Sequence, residues 1–286
     1  MKPAPFAYCR PATLDEALES LARLGPEARV LAGGQSLVPA LNMRLAQPSA
    51  LVDINRVPGL DGIRLAPEGL VIGALARQEA VLRSPLVAQH AQLIAQAMPH
   101  VAHLALRTRG TFGGSLALGD PAAELPACAV ALDAILRVAR RAGEREIPAA
   151  RFFRGIYATA LEPGEILTAA VFPTRAAAWR FHFDELARRH GDYALVALAA
   201  AARVDGGAIA EARLVFAGVG LTPVRATRGE AVLAGRHPDA ATLAEAGRAL
   251  DADLDPPSDV HASAALRRHL ARVLMARALA ALVTGA

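Results

Sequence analysis

Apolar positions along this chain switch repeatedly between a period of two and a helical period, and the switches delimit its elements. Phe6 to Arg10 reads as a strand. Thr13-Leu14-Asp15-Glu16 forms a capping box that opens a helix to about Leu24, ended by Gly25-Pro26. Ala28 to Ala32 is the next strand, Leu37 to Leu45 a helix, and after Pro48 Ala50 to Ile54 is a third strand, completing a β-α-β unit. Short strands are predicted at Gly62 to Ala66 and Gly69 to Gly73, helices at Gln78 to Leu82 and Leu86 to Met98, and strands at Ile135 to Ala139 and Glu165 to Phe172. Asp120, ahead of Pro121, is the expected N-cap of a short helix of small residues.

Composition shifts near Thr174 to Ala178, the expected domain boundary. Trp179 to Phe183, Tyr193 to Val204 and Ala208 to Val219 then read as three strands of an antiparallel meander. Helices at Arg228 to Leu233, Ala240 to Leu250 and Ser263 to Val283 close the chain.

Two stretches break the pattern in the same way. Val30-Leu31-Ala32-Gly33-Gly34-Gln35-Ser36 runs from a strand through two glycines to a helix. Thr108-Arg109-Gly110-Thr111-Phe112-Gly113-Gly114-Ser115 again leads through glycines and hydroxyl residues into an apolar segment. Glycines tolerate positive φ and let a ligand lie on the peptide groups, and the first amides of a helix have no intrahelical acceptor. Either stretch alone is equally an ordinary turn, with Ser36, Thr108, Thr111 and Ser115 capping it. Together they suggest one long ligand with two phosphates.

Asp53 lies about 20 residues beyond the first glycines, where a dinucleotide fold of the Rossmann type places its ribose-binding acid. Gly33-Gly34-Gln35-Ser36 is not G-x-G-x-x-G, however, and argues against that fold.

Composition removes other classes. The 286 residues, 53% apolar, suffice for a sizeable core and favour two domains over one. The longest apolar run, Tyr193 to Ala202, is about half of the ~20 residues that cross a bilayer. The N-terminus lacks the features of a signal peptide, which makes the cytoplasm the expected location. A net charge of +4, with arginines interspersed among acids, argues against nucleic-acid binding; the Arg137 to Arg145 cluster reads as a solvated edge. Cys9 and Cys128 are far apart and read as reduced and structural, and the eight histidines show no metal-ligand spacing. No Ser–His–Asp set or Gly-x-Ser-x-Gly is present.

Four segments, in order and spanning essentially the whole chain, carry a more specific signal. They are Ala32-Gly33-Gly34-Gln35-Ser36, Leu51-Val52-Asp53-Ile54-Asn55, Arg109-Gly110-Thr111-Phe112-Gly113-Gly114-Ser115 with Asp120-Pro121, and Gly191-Asp192-Tyr193-Ala194. This set resembles the FAD-binding medium subunit of molybdenum hydroxylases, the carbon monoxide dehydrogenase and xanthine dehydrogenase family. Gln35 stands where many members have His, Thr108 where Asn is frequent, and Phe112 where Ile or Leu is usual.

The resemblance implies an α+β fold: a PCMH-type FAD-binding domain over residues 1–175, with lobes of about 1–55 and 56–175, and a C-terminal domain over 176–286 with a three-stranded antiparallel sheet and a helical bundle. It implies that backbone amides of Ala32, Gly33, Gly34, Gln35 and Ser36 hold the pyrophosphate and that Thr111, Gly114 and Ser115 add contacts. Asp120 would face the ribityl and phosphate region, Ile166 and Leu167 would approach the flavin ring, and Tyr193 would stack near it. No catalytic acid, base or metal ligand is implied in this chain. The implied partners are a large molybdopterin-binding subunit with the molybdenum centre and a small subunit with two [2Fe–2S] clusters, in a dimer of heterotrimers. Electrons would pass from molybdenum through the clusters to FAD and on to an external acceptor. A stand-alone FAD oxidoreductase of the same fold and a non-redox nucleotide-binding or assembly protein are the alternatives.

Overall fold

The structure, a computed structural model, describes residues 2–174 and 178–285. The boundary expected near Thr174 to Ala178 lies largely outside these residues.

The chain begins β1 (Ala7–Cys9), α1 (Leu14–Leu24), β2 (Ala28–Leu31), α2 (Leu37–Asn42), β3 (Ala50–Asp53). The predicted cap forms, with Thr13 Oγ1 accepting from the Glu16 amide at 3.2 Å; the reciprocal bond of the box is shifted by one residue, Glu16 Oε2 accepting at 2.8 Å from the amide of Ala12 rather than from that of Thr13. Ala17, Leu18 and Leu21 on α1 pack against Ala28, Ala50 and Val52 of the sheet. All three strands are parallel in the order β1-β3-β2. A Rossmann unit has its first two strands adjacent; here β3 separates them. Helix α2 stops at Asn42, short of the expected Leu45, because Arg44 adopts a left-handed conformation (φ +58°) and the Leu45 amide turns back to the Ala40 carbonyl.

A second, antiparallel sheet of order β4-β5-β10-β6-β7 is assembled from β4 (Ile63–Ala66), β5 (Gly69–Gly73), β6 (Ile135–Arg140), β7 (Gly143–Pro148) and β10 (Ile166–Phe172). Between β5 and β6 run α3 (Gln78–Leu82), α4 (Pro85–His90), α5 (Gln92–Ala97), α6 (Leu104–Arg107), α7 (Phe112–Leu118) and α8 (Glu124–Ala131). After β7 come α9 (Ala149–Phe152) and a small hairpin of β8 (Phe153–Gly155) and β9 (Ala158–Thr159).

The single helix expected over Leu86 to Met98 is two, broken at Ala91 (φ −142°, ψ +56°). The break turns Val87, Leu93, Ile94 and Ala97 all into one core. The arginine cluster lies along the β6-β7 hairpin: Arg137 pairs with Glu68 and Glu146, and Arg145 with Glu165.

The expected meander is present as β11 (Trp179–Ala187), β12 (Ala194–Asp205) and β13 (Ala208–Ala217), with a short fourth strand, β14 (Val224–Arg225), added at the edge. Helices α10 (Thr227–Leu233), α11 (Ala240–Asp253) and α12 (Ala264–Thr284) follow. Strand β12 is the uninterrupted apolar run, and it fails to alternate because both its faces are covered. Ala197 and Ala199 join the core formed with α5 and α8, while Val196, Leu198, Ala200 and Ala202 join a second core with α12. Alanines on the first face let α8, which itself carries Ala127, Ala129 and Ala131, approach closely.

Candidate functional site

The two glycine stretches meet. The first leaves β2 at Leu31, turns at Gly34 (φ +73°) and enters α2. An added Cβ on Gly33 would lie 2.5 Å from the Arg109 carbonyl oxygen and 2.8 Å from Gly110 Cα, so the two loops touch backbone to backbone. The second loop is in turn sewn to the segment after β5. Gln78, Phe112 and Gly113 amides donate to Gly110, Ala76 and Ala74 carbonyls at 3.0, 2.8 and 2.9 Å. The Ala74 amide donates to Thr168 of β10 at 2.8 Å, which ties the start of β10 to the same frame.

The loops are not equivalent, although their sequences look alike. In the second, the amides of Phe112, Gly113, Gly114 and Ser115 all have acceptors within the protein, Gly114 donating to the Thr111 hydroxyl at 3.1 Å. In the first, the amides of Gly33, Gly34, Gln35 and Ser36 have no acceptor among the described residues. The Gln35 side chain donates to the Gly33 carbonyl at 2.9 Å, which removes a carbonyl from the face of the turn. Unspent backbone donors gathered in one turn are an anion-binding arrangement. The first loop offers donors; the second supports it.

Thr111 is buried and its hydroxyl caps α7, while Ser115 is partly exposed. Ile166 and Leu167 are 2% and 5% exposed, their side chains in the cores on either side of β10. It is the carbonyl of the next residue, Thr168, that bonds the loop frame, through the Ala74 amide. Asp120 does not cap α8. Its Oδ1 accepts from the Ala122 amide at 2.9 Å in a turn held by Pro121, and α8 opens only at Glu124.

Asp120 and Tyr193 are brought together. Asp120 is 5% exposed, and the hydroxyls of Tyr157 and Tyr193 lie near enough to its carboxylate to stabilise its charge. Burial raises the Asp120 pKa, and the Ala122 amide and the two tyrosines only partly offset this. The hydroxyl of Tyr193 is pushed up to about 12 by desolvation and by the Asp120 charge, while the residue as a whole is 67% exposed. It therefore presents an open aromatic ring with its hydroxyl near Asp120. Gly191, two residues earlier, packs on His103 at the start of α6: an added Cβ would lie 2.6 Å from the imidazole. Tyr157 gives no sequence signal; it sits at φ +53° in the β8-β9 turn.

Glu124, in the first turn of α8, is desolvated and raised to about 7, with Glu185 and Asp120 adding to the rise and His100 opposing it. Asp53 is turned inward, accepting from Tyr8 at 2.6 Å and from Asn55, so it is not displayed to a ribose. Among the described residues no group of three His, Cys, Asp or Glu can hold a metal ion.

Residues 4–175 match the family model described as the FAD binding domain in molybdopterin dehydrogenase, and residues 181–282 match the CO dehydrogenase flavoprotein C-terminal domain. The chain is an FAD-binding subunit of the molybdenum hydroxylase family. It is 39% identical to the 6-hydroxypseudooxynicotine dehydrogenase complex subunit alpha of Paenarthrobacter nicotinovorans, over 98% of this chain and 95% of that one. It is 36% identical to the carbon monoxide dehydrogenase medium chain of Afipia carboxidovorans, over 98% and 97%. Its fold superposes on the quinoline 2-oxidoreductase structure from Pseudomonas putida 86 with a TM-score of 0.94 and 40% identity, covering 100% and 99% of the two chains.

The residues present fit the cofactor of this flavoprotein family. A pyrophosphate needs several convergent donors without competing acceptors, and the amides of 33–36 are such a set. An aromatic ring system needs an apolar or aromatic face, which Tyr193 displays.

Proposed function

We propose that this chain holds FAD noncovalently and acts as the electron outlet of a three-component molybdenum hydroxylase. The four unspent amides of Gly33, Gly34, Gln35 and Ser36, braced against the second glycine loop, carry this reading. They would hold the pyrophosphate together with the Ala32 segment. Ser115 and the Thr111–Gly114 turn would line the same cradle, Asp120 would meet the ribityl side, and Tyr193 would cover the ring, with the backbone of Ile166 and Leu167 behind it. These residues bind, orient and exclude water; none is needed as an acid or base. When bound, FAD would supply a redox centre able to take up electrons singly and to hold two.

The partners in this proposal are a small subunit with two [2Fe–2S] clusters and a large molybdopterin-binding subunit that hydroxylates substrate, in a cytoplasmic dimer of heterotrimers. Within this chain the flavin unit is residues 1–175, with lobes of about 1–55 and 56–175, and 176–286 is the unit that closes over it. The relatives are a dehydrogenase complex subunit and a medium chain, which supports a role inside an assembly.

Absorbance titration of the purified complex with FAD tests the proposal. Saturable binding with a flavin band, lost in Gly34→Val, is expected. A complex that carries molybdenum and iron but takes up no FAD would sink it.

A further inference from the structure

We propose that Arg77 is a positioning residue that sets the spacing of the two glycine loops, and so the shape of the FAD cradle; this rests on the reading above. Arg77 precedes α3 and its guanidinium spans two partners. One nitrogen donates to the Arg109 carbonyl, and Nη2 donates to Asn55 Oδ1 at 2.8 Å. The Arg109 carbonyl is the very group against which Gly33 packs. Asn55 in turn donates through Nδ2 to the Ala32 carbonyl at 2.8 Å, at the start of the first loop. A continuous chain of hydrogen bonds thus runs from the first loop through Asn55 and Arg77 to the second.

The far end of this chain is fixed as well. Asp53 Oδ1 accepts from both the backbone and the side-chain amide of Asn55, at 2.9 and 2.6 Å, and Asp53 Oδ2 accepts from Tyr8 at 2.6 Å. These bonds orient the Asn55 amide so that its oxygen faces Arg77 and its nitrogen faces Ala32. Arg77 is half-buried, and burial and the neighbouring Arg109 both disfavour its charge. A cation kept in such a place has work that a solvated arginine does not, and only a planar fork with donors on separate nitrogens spans both acceptors.

The test uses the co-expressed complex, stripped of flavin, in wild-type, Arg77→Met, Arg77→Lys, Asn55→Ala and Arg77→Met/Asn55→Ala forms. FAD affinity by fluorescence quenching, the visible circular dichroism of bound flavin and the melting temperature without FAD are read in parallel. Arg77→Met and Asn55→Ala are each expected to weaken FAD about tenfold to a hundredfold and to alter the dichroism. The double variant should be no weaker than the worse single, because both break one strut. Arg77→Lys, reaching one partner only, should not restore wild-type affinity. An Arg77→Met affinity within twofold of wild type, or losses that simply add in the double variant, would overturn the inference even if the melting temperature falls. If Arg77→Met does not assemble, wild-type affinity and dichroism in Arg77→Lys overturn it instead. A wild-type complex that binds no FAD would remove the reading on which this rests.

Discussion

Gly33 lies against the Arg109 carbonyl so closely that a methyl group there would sit 2.5 Å from the oxygen. Every near neighbour of that methyl is backbone, so no side-chain rotation relieves the overlap. Gly34 differs: its φ of +73° is strained for an L-residue, but its added methyl would meet only the side chains of Val38 and Leu31, at 3.1 and 3.3 Å. Gly33→Ala is therefore expected to separate the loops, costing about 1–3 kcal/mol of stability and weakening FAD binding. Gly34→Ala should cost about 1–2 kcal/mol and leave the loops together. Thermal unfolding of both variants, with and without FAD, checks this; a smaller FAD-induced rise in Tm for Gly34→Ala than for Gly33→Ala would show that the loop contact is unimportant.

The Thr111 hydroxyl is spent on the Gly114 amide at 3.1 Å. Thr111→Val keeps the volume and loses the cap, which should cost about 1 kcal/mol, whereas Thr111→Ser should remain close to wild type. Urea midpoints compare the two. Equal losses would mean that the methyl group, not the cap, matters here.

The α1 capping box, the glycine turns, β12 and the C-terminal helices were legible because each is written in adjacent residues. What stayed hidden is what forms between distant ones. The loops share glycines and hydroxyls, yet the second loop's amides are consumed, those of Phe112 and Gly113 by Ala76 and Ala74 and those of Gly114 and Ser115 by Thr111, while the first loop's have no acceptor among the described residues. Asp120 before proline looks like a cap, and only the fold shows Tyr157 and Tyr193 meeting its carboxylate. Arg77 carries no local mark at all, since its partners are 22 and 32 residues away. The two alanine-flanked halves of α4 and α5 share one periodicity, which hides the break at Ala91.

Glu124 gives a pH dependence of definite sign. Desolvation, with Glu185 and Asp120 nearby, raises it to about 7, against the ordinary carboxyl value of 4.5. Between those values the unfolded chain releases this proton while the folded chain retains it, so stability falls as pH rises from about 4.5 to about 7 and then levels. Glu124→Gln should flatten that slope and hold the urea midpoint higher at pH 8 than in wild type. An unchanged slope would show that Glu124 is ionised throughout in the folded protein.

Asp259 gives the opposite slope. Amides of Ala262 and His261 and the Arg267 guanidinium hold its pKa down to about 2. Arg267, only 5% exposed, also donates to the carbonyls of Leu195 and Gly218, the ends of β12 and β13 nearest Tyr193. Gly218 in turn donates to the carbonyl of Pro121 beside Asp120 at 2.8 Å, so this pair supports the chain next to both Tyr193 and Asp120. A carboxyl with a lowered folded pKa contributes stability that is complete above its unfolded value of 3.8 and is lost as pH falls toward about 2. Asp259→Asn should therefore lower the urea midpoint at pH 7 and flatten its fall between pH 4 and 2. Removing the charge leaves the buried guanidinium without a counter-ion, a loss of about 3–5 kcal/mol for a fully buried pair and less here because Asp259 is partly solvated. Arg267→Met removes the cation itself and strands two carbonyls, so it should also perturb the Tyr193 environment, read as a change in flavin fluorescence. Unaltered fluorescence in Arg267→Met would separate this pair from the site and leave it a purely structural anchor.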